Sequence, residues 1–509
     1  MTDPDRSDVP LSDPADESLS ALRVLQSGAG TDRWLDRPLA ALATREPVSC
    51  APDTPLRSVL ETMQRTRIGS MIVVDAERRP LGVFTLHDVL ERVALPATDL
   101  GTPIGEVMSH QIWTLPPQAP AFEAALLMAR ENIRHVPLVE DGRLVGVVSE
   151  SRLFSLWRGG IDEVRAAIRA ARDVDATVAA AARIRSLPGR LLDEGIGSDA
   201  ITGLVTALND LVTGRLIELT GAGAALAAAG GCWIALGSEG RGEQTLATDQ
   251  DNAIIFADGT GPEARRATLV PVAAAVNRAL DACGFPLCRG EVMAGNPKWC
   301  LSATEWRERF ARWLDTPEPQ ALLNAAIFFD LRPIWGERAL AAALRDWLAV
   351  RASDAGRFLL LMAQNALGNQ PPLGLVREFV LASGGEHRGT LDLKVNGVQP
   401  FVEAARVLAL GTGVAGTNTL ERLAESARVR RIPAGEAEAW REAFRFIQLL
   451  RLRLNEAQRV RGEPLHNHLD PNTLNDLERR ILREALRQAR KLQARLARDF
   501  SLRGAGFGA

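Results

Sequence analysis

The first third of the chain contains two copies of one pattern of hydrophobic and polar positions. Each copy has apolar residues at helical spacing, followed by two short apolar strands joined by a turn. Met63 corresponds to Met128, and Val74 corresponds to Val139, in both cases 65 residues later. The strands read MIVVD and LGVFT in the first copy, and VPLVE and LVGVV in the second. Because neither copy can cover both faces of its own sheet, we expect the two to pack together as one module over residues 38–157.

The pattern changes twice in the rest of the chain. Residues 158–222 are rich in alanine at helical spacing, which predicts a helical linker region. Residues 223–345 mix apolar strands with helices, which predicts a domain with a mixed sheet. Residues 346–509 show helical spacing, which predicts an all-α bundle, and the segment around Pro333 reads as two helices separated by a break. The predicted fold class is therefore α+β with several domains.

Composition limits the classes of protein that fit. The chain has 509 residues, of which 46% are hydrophobic and 24% are charged, and these are values of a globular protein. Its net charge of −3 does not favour a general nucleic-acid or membrane-surface binder, so RNA and membranes are not expected partners. Five cysteines without CxxC spacing indicate a reducing compartment, which predicts a cytoplasmic protein. The acidic segment 1–37 predicts a disordered N-terminal tail rather than a signal peptide.

Candidate chemistry lies in the string GSEGRGEQTLATDQDNAIIF, which follows a predicted buried strand. Asp249 and Asp251 are predicted to share one face of the next strand, about 6.6 Å apart along it. Two carboxylates so placed suit a pair of Mg²⁺ ions. The Gly237-Ser238 turn can bring backbone N–H groups and a hydroxyl to phosphates, and Arg241 can add a guanidinium.

Other candidate residues have weaker support. Glu291 ends a predicted strand that starts at Phe285, and it is the one acid in FPLCRGEVMAGNPKWC. Lys298 follows in the same segment as a candidate phosphate contact, with an exposed loop lysine as the alternative. His466 and His468 could suggest a metal site, but we expect none because no third ligand lies nearby in the sequence.

The repeat, through RIGSMIVVD–RRPLGVFTLHDVL and IRHVPLVEDGRLVGVVSESRLF, resembles a tandem CBS (Bateman) module. The resemblance implies binding of adenine nucleotides such as AMP or ATP, with Thr85 and Asp88 holding phosphate and ribose. A carboxylate suits a ribose diol because it accepts two hydrogen bonds. The second copy departs from the pattern: Ser149 is present, but Arg152 replaces the aspartate. One adenosine site is therefore expected, and a purely structural or dimerising module is the alternative.

The GS and DxD string resembles the signature of the polymerase-β nucleotidyltransferase superfamily. With the CBS pair, the chain is similar to bacterial CBS-domain nucleotidyltransferases related to the PII-protein uridylyltransferase. The resemblance implies transfer of a nucleoside monophosphate from an NTP to a hydroxyl, with Mg²⁺ as cofactor and a protein of unknown identity as acceptor. It also implies a third carboxylate from a later strand, as a base or metal ligand, for which Glu291 is the candidate. It further implies a helical substrate-binding domain in which Lys394 contacts the triphosphate. CBS pairs often associate, so a homodimer through this module is a further expectation.

Two alternatives to a protein-modifying transferase remain open. The first is a catalytically inactive sensor of adenine nucleotides, which the irregular second CBS copy and the uncertain third carboxylate favour. The second is a transferase that acts on RNA ends by the same chemistry, although the chain has no strongly basic domain. The chain contains no tyrosine. If the acceptor is a tyrosine hydroxyl, as in the related uridylyltransferase, it must lie on another chain.

Overall fold

A computed structural model describes residues 38–43, 47–66, 68–96, 98–131, 133–149, 161–193, 195–374 and 378–502. The predicted tail, 1–37, and Arg152 lie outside these residues. The chain divides into two compact units, one spanning Asp32–Glu163 and one containing Val164–Ala509.

The first unit has the predicted repeat. Its strands are Ser49–Cys50 (β1), Ser70–Val74 (β2), Pro80–Thr85 (β3), His135–Glu140 (β4) and Arg143–Ser149 (β5). Its longer helices are Leu56–Thr66 and Ala121–Glu131, and its shorter helical turns are Leu39–Ala41, Leu86–Asp88, Val89–Ala94 and Ile104–Glu106. β2 and β3 are antiparallel, as are β4 and β5, and β1 pairs with β2 in parallel. Both hairpins change register at the same place in the repeat, before Val74 and before Val139. The predicted tandem module is confirmed.

The second unit contains a four-stranded mixed sheet. Its strands are Gly231–Ala235 (β6), Asn252–Phe256 (β7), Cys300–Ser302 (β8) and Arg332–Gly336 (β9), in the order β8-β7-β6-β9. β6 is antiparallel to β7 and β9, whereas β7 and β8 are parallel. A separate two-stranded ribbon pairs Leu391–Asp392 (β10) with His468–Leu469 (β11). The predicted mixed sheet is confirmed.

Helices surround this sheet and form the C-terminal region. Their bounds are Ile161–Ala170, Val174–Ile184, Leu187–Asp193, Ser198–Leu219, Ala222–Ala228, Gly237–Gly240, Pro262–Ala282, Ala303–Asp315, Pro319–Phe328, Arg338–Ser353, Gly356–Ala366, Gln399–Leu410, Thr419–Arg430, Ala434–Arg461 and Asp476–Asp499. Shorter helical turns are Pro297–Trp299, Leu393–Val398 and Pro471–Thr473. The hydrophobic core is continuous from the sheet into the last helix, from Ile234 to Leu496.

Three details of the predicted secondary structure are wrong. The segment around Pro333 is an edge strand, β9, rather than a helix break; an edge strand tolerates a proline because it needs fewer backbone donors. Asp249 and Asp251 precede β7, which begins at Asn252, instead of lying on it. The segment from Phe285 to Glu291 is a loop with a turn rather than a strand.

The helices within 158–222, predicted as a linker, belong to the second compact unit. Ser198–Leu219 packs beside the sheet, where Asp210 pairs with Arg332 of β9 at 2.6 Å. This helix is the one candidate among the described residues that is long and apolar enough to cross a membrane. Of its apolar window, 72% is buried inside the protein, as in a core helix. The packing of its neighbours therefore accounts for its apolar character.

Candidate active site

Gly237 and Asp251 meet where β6 and β7 end. Leu236 N–H donates to the carbonyl of Asp251 at 2.9 Å, which continues the β6–β7 ladder by one residue. Gly237 then adopts φ +56°, and a Cβ on it would lie 2.9 Å from Asp251 Oδ2. Both features require glycine. The predicted Gly237-Ser238 turn is the start of a one-turn helix, Gly237–Gly240, directly beside the carboxylate.

The negative charge of Asp249 acts on the buried carboxyl group of Asp251. Burial is the main cause that raises the pKa of Asp251 to about 7, and the charge of Asp249 contributes to the rise. Asp249 is exposed, whereas Gln250 between them is buried and donates to the carbonyls of Asn277 and Phe285. The Gln250 side chain is thus held in the protein interior by these two carbonyls.

Two further side chains act on the Asp251 carboxylate. The Cys288 thiol hydrogen-bonds to it and lowers its pKa, and the Lys394 charge lowers the pKa as well. Lys394 is exposed and lies in the π-helical turn Leu393–Val398, which Asp392 caps by accepting from Lys394 N–H at 2.8 Å. The helical region thus presents a lysine to the carboxylates across about 140 residues of chain. Nothing in the sequence pattern indicated Cys288.

The predicted nucleotide contacts separate into two groups. Ser238 remains partly exposed, with its hydroxyl 3.4 Å from that of Thr248, next to the aspartates. Arg241, predicted as a phosphate contact, is instead held in the protein interior. Its guanidinium donates to Glu243 at 2.8 Å and to Asp330 at 2.7 Å. The prediction for Arg241 is wrong because two buried carboxylates already use its donors.

Asp330 is the centre of a buried ion-pair network. It is completely buried, and its carboxylate also accepts from Arg406 at 3.0 and 2.5 Å and from Arg422 at 2.6 Å. The three guanidiniums hold its pKa well below the usual range of an aspartate. Arg241 lies directly after the helix Gly237–Gly240, whereas the other two arginines belong to the helices Gln399–Leu410 and Thr419–Arg430. The network therefore joins the glycine-serine helix to the helical region.

The N-terminus of the helix Thr419–Arg430 reinforces this junction. Thr417 hydroxyl donates to the carbonyl of Gly240 at 2.8 Å, and the Asn418 amide donates to that of Arg241 at 3.0 Å. Thr419 N–H donates to Glu243 Oε1 at 2.7 Å. These contacts fix the backbone that follows Ser238, so the helical region helps to shape the site.

No contact among the residues that the structure describes joins Glu291 or Lys298 to Asp249 or Asp251. Glu291 is exposed, has φ +54°, and lines a recess with Arg278 and Asn296 that differs from the one beside Asp249. The prediction of Glu291 as the third carboxylate is therefore not supported, because the loop turns its side chain to another recess. Lys298 is exposed, and its carbonyl accepts from Arg309 at 2.5 Å.

A different acid, Glu239, faces the site from inside. It is 7% exposed, and no hydrogen bond or ion pair to its carboxylate is found among the described residues. Burial raises its pKa to about 8; the negative charges of Asp210 and Asp251 add to the rise, and the positive charge of Arg332 opposes it. A narrow recess, here called the Glu239 recess, is lined by Asn209, Thr213, Glu239, Gln244, Asp249, Gln250, Leu280 and Phe285. Glu239 had no signal in the sequence beyond its position in the GS string.

Asp249 and Asp251 suit a divalent cation, because carboxylates are the ligands that Mg²⁺ prefers. Burial and the negative charge of Asp249 raise the pKa of Asp251, and a cation beside the two carboxylates would favour their ionised forms. No group of three His, Cys, Asp or Glu side chains with the geometry of a metal site occurs within the described ranges.

In the first unit, Thr85 and Asp88 are in direct contact. Thr85 N–H and its hydroxyl donate to Asp88 Oδ2 at 2.8 and 2.7 Å. Asp88 is 6% exposed, and its other oxygen lies 3.4 Å from both Ser109 Oγ and Arg92 Nε. The structure therefore brings the two candidate adenosine-site residues together at the end of β3.

Three of the six histidines form a cluster beside the β10–β11 ribbon. The rings of His387 and His468 stack at 3.7 Å, and His466 lies 5.1 Å from His387. His387 is remote from His466 and His468 in the sequence, so only the fold brings the three rings together. The ring nitrogens of His466 are already within 3.0 and 3.1 Å of the Gln458 amide, so the cluster is engaged within the protein.

The fold and the site together define a class of protein in which a CBS pair accompanies a nucleotidyltransferase-type domain. A CBS domain model matches residues 39–95 and 104–159. A model described as "Putative nucleotidyltransferase DUF294" matches residues 182–320, and one described as "Putative nucleotidyltransferase substrate binding domain" matches residues 356–500. The chain belongs to the DUF294 nucleotidyltransferase family, with CBS domains at its N-terminal side.

Individual proteins that are similar to this chain match about one fifth of its length, which is the size of its CBS pair. The CBS domain-containing protein YhcV of Bacillus subtilis is 28% identical over 21% of this chain and 75% of its own. The mitochondrial CBS domain-containing protein CBSX3 of Arabidopsis thaliana is 27% identical over 20% of this chain and 51% of its own. Among solved structures, the CBS domain protein PAE2072 of Pyrobaculum aerophilum, complexed with AMP, is 31% identical. That match covers 23% of this chain and 89% of the other, with a TM-score of 0.22. None of these bears on the transferase region.

Proposed function

We propose that this protein is an Mg²⁺-dependent nucleotidyltransferase that moves a nucleoside monophosphate from an NTP to a hydroxyl of an acceptor protein. The observation that carries the proposal is the pair Asp249 and Asp251 beside the glycine at position 237, with Lys394 facing Asp251. This arrangement combines carboxylates for a cation, a close backbone approach for phosphates and one positive side chain.

Each residue has a definite task in this proposal. Asp249 and Asp251 hold Mg²⁺, which when bound neutralises phosphate charge and stabilises the oxygens of an in-line displacement. Gly237 allows the backbone to approach the triphosphate, and Ser238 offers a hydroxyl to it. Lys394, which belongs to the helical region, contacts a phosphate oxygen. Arg241 is left out of the binding step because it orders the loop through Asp330 and Glu243.

Control by adenine nucleotides is the second part of the proposal. Thr85 and Asp88 would hold the adenosine moiety of AMP or ATP in the CBS pair, with the Thr85–Asp88 hydrogen bond giving way to contacts with the ligand. To regulate transfer, the nucleotide must bind the active and inactive states differently, and 1–3 kcal/mol is a typical coupling. We place the protein in the cytoplasm, where adenine nucleotides and NTPs are available.

Incubation with each α-labelled NTP, Mg²⁺ and cell extract tests the transfer. We expect a labelled protein band that protease removes and RNase does not, and label removed by RNase would instead support the RNA-end transferase. Asp251→Asn is expected to abolish labelling, whereas Asp315→Asn, at a surface pair with Arg351, should leave it unchanged. Labelling that survives Asp251→Asn would contradict the metal assignment.

An inactive nucleotide sensor is the second candidate, favoured by the absence of a complete three-ligand metal geometry among the described residues. It predicts no label with any NTP, together with AMP or ATP binding that Asp88→Ala abolishes. Calorimetry on the full chain, with Arg65→Ala on an exposed helix face of the same module as the control, would separate nucleotide binding from general damage to the CBS module.

A further inference from the structure

A second recess in the transferase region is separate from the one beside Asp249. Here called the Arg278 recess, it lies between the helix Pro262–Ala282 and the loop that follows this helix, and its volume is about 400 Å³. A mainly apolar wall with a few polar groups is typical of small-molecule sites. The apolar members of this wall are Ala274, Leu287, Met293 and Pro297, and its charged members are Arg278 and Glu291.

The two charged residues of the recess are of opposite sign and are not paired. Arg278 and Glu291 are both exposed, and within the described part of the chain neither side chain makes a hydrogen bond or an ion pair. An arginine guanidinium binds a carboxylate through two parallel hydrogen bonds, and a glutamate carboxylate accepts from an ammonium group. A ligand that carries both a carboxylate and an ammonium group can therefore engage Arg278 and Glu291 together.

The backbone of Glu291 has a conformation that residues with a side chain rarely adopt. Its φ is +54°. Its carbonyl accepts from the Asn296 amide at 3.1 Å and from the Trp299 indole N–H at 3.0 Å, so two side chains hold the turn in place. A glycine would adopt this φ at lower cost. Such strain persists where the surrounding structure imposes it, and it is common at ligand sites.

The apolar part of the wall is open to water. Leu287 is 43% exposed, and Met293 is partly exposed on the same wall. The base beneath them is closely packed, because a Cβ on Gly295 would lie 2.7 Å from the Cα of Ala274 in the helix. An aliphatic or thioether side chain placed against Leu287 and Met293 would be removed from water, which favours binding.

The wall of the recess is also bonded to the segment that carries the two aspartates. Asn277 lines the recess, and its side-chain amide donates to the Gln250 side chain at 2.9 Å. The Gln250 amide in turn donates to the carbonyls of Asn277 at 2.9 Å and of Phe285 at 2.7 Å. Gln250 lies between Asp249 and Asp251 in the sequence. A ligand that orders the loop after the helix therefore acts on the aspartate segment through hydrogen bonds.

We propose that the Arg278 recess binds a free α-amino acid with an apolar side chain, of the size of leucine or methionine, and that this binding raises nucleotide transfer. Arg278 binds the carboxylate of the amino acid, Glu291 binds its ammonium group, and Leu287 and Met293 pack against its side chain. The bound amino acid orders the loop and with it the segment 249–251. The binding is independent of the proposed function, whereas the regulation rests on it.

Isothermal titration calorimetry of the purified full chain with L-leucine and L-methionine tests the binding. We expect one molecule per chain, and an affinity at least tenfold weaker in Arg278→Gln and in Glu291→Gln. The matched control is Lys298→Met, which removes an exposed cation of the same segment that does not line the recess, and its affinity should be unchanged. Equal affinity of the wild type and both recess variants would overturn the proposal.

Two ligand analogues test the same contacts on the wild type, so that misfolding of a variant cannot mislead. Leucine methyl ester lacks the carboxylate, and N-acetylleucine lacks the ammonium group. We expect each to bind at least tenfold more weakly than leucine. Analogues that bind as leucine does, or no saturable binding of any standard L-amino acid, would overturn the proposal.

Labelling of the acceptor in dialysed cell extract, with and without added leucine, tests the regulation. We expect leucine to raise the rate several-fold in the wild type and to have no effect in Arg278→Gln, whose rate without leucine should equal that of the wild type. Leucine that binds without changing the rate would overturn the regulation. Amino-acid binding without labelling by any NTP would contradict the proposed function alone, because calorimetry decides the binding independently.

Discussion

Replacing Asp330 with asparagine tests whether one buried carboxylate holds the loop around Arg241 to the helical region. The variant keeps the size of the side chain but removes the negative charge that Arg241, Arg406 and Arg422 share. Arg406 and Arg422 are only 1% and 3% exposed, so their charges cannot turn to water without moving helices. Arg406 Nη1 already has no hydrogen-bond partner.

The magnitude follows from these contacts. Breaking a buried ion pair by removing one partner costs about 3–5 kcal/mol, because a charge is left uncompensated. Since Asp330→Asn leaves three guanidiniums without their shared carboxylate, we expect a loss at the upper end, about 4–5 kcal/mol. The free energy of unfolding of a domain is about 5–15 kcal/mol, so the variant should be folded but only marginally stable.

Urea unfolding followed by tryptophan fluorescence and circular dichroism measures this loss. The control is Asp315→Asn, which breaks the exposed pair with Arg351 at 2.6 Å and should cost less than about 1 kcal/mol. A depressed carboxylate pKa stabilises the fold above the pKa of the unfolded chain and loses that effect as the pH falls. Acid destabilisation below about pH 4 should therefore be weaker in Asp330→Asn. A variant within 1 kcal/mol of the wild type would refute the network's role.

Three further outcomes are expected. Gly237→Ala should lower nucleotide transfer by at least tenfold, because its Cβ would meet Asp251 Oδ2 at 2.9 Å. The control is Gly242→Ala, which also has a positive φ (+71°) but open space around the Cβ, so it should cost only about 1–2 kcal/mol of stability. The free energy of unfolding of the metal-free protein, measured in urea, should fall by up to about 4 kcal/mol between pH 4 and 7, because folded Asp251 keeps a proton that the unfolded chain releases. In Asp251→Asn the free energy of unfolding should depend less on pH. Lys394→Met should raise the KM for the NTP several-fold in steady-state kinetics, and an equal rise in Lys298→Met would argue against a specific role for Lys394.

The local sequence pattern was enough to predict those parts of the protein that depend on residues close together in the chain. The repeat could be predicted because apolar spacing sets which face of each strand and helix is buried. Gly237 and the aspartate pair could be found because a glycine-serine sequence and a DxD sequence are short. The same reasoning failed for β9, since the pairing of Arg332–Gly336 with β6 joins segments about 100 residues apart.

Long-range contacts decided the rest of the candidate site. Arg241 reads as a phosphate ligand from its neighbours, yet Asp330, 89 residues away, takes its guanidinium into the interior. Glu239 reads as one polar residue in a loop, yet tertiary packing buries its side chain. Sequence by itself determined the two repeats and the short spacing of the acid pair, because these depend on residue type and on positions close together in the chain. Only the tertiary structure decided which charges are neutralised and which face the site, because charge compensation depends on distances between segments remote in the chain.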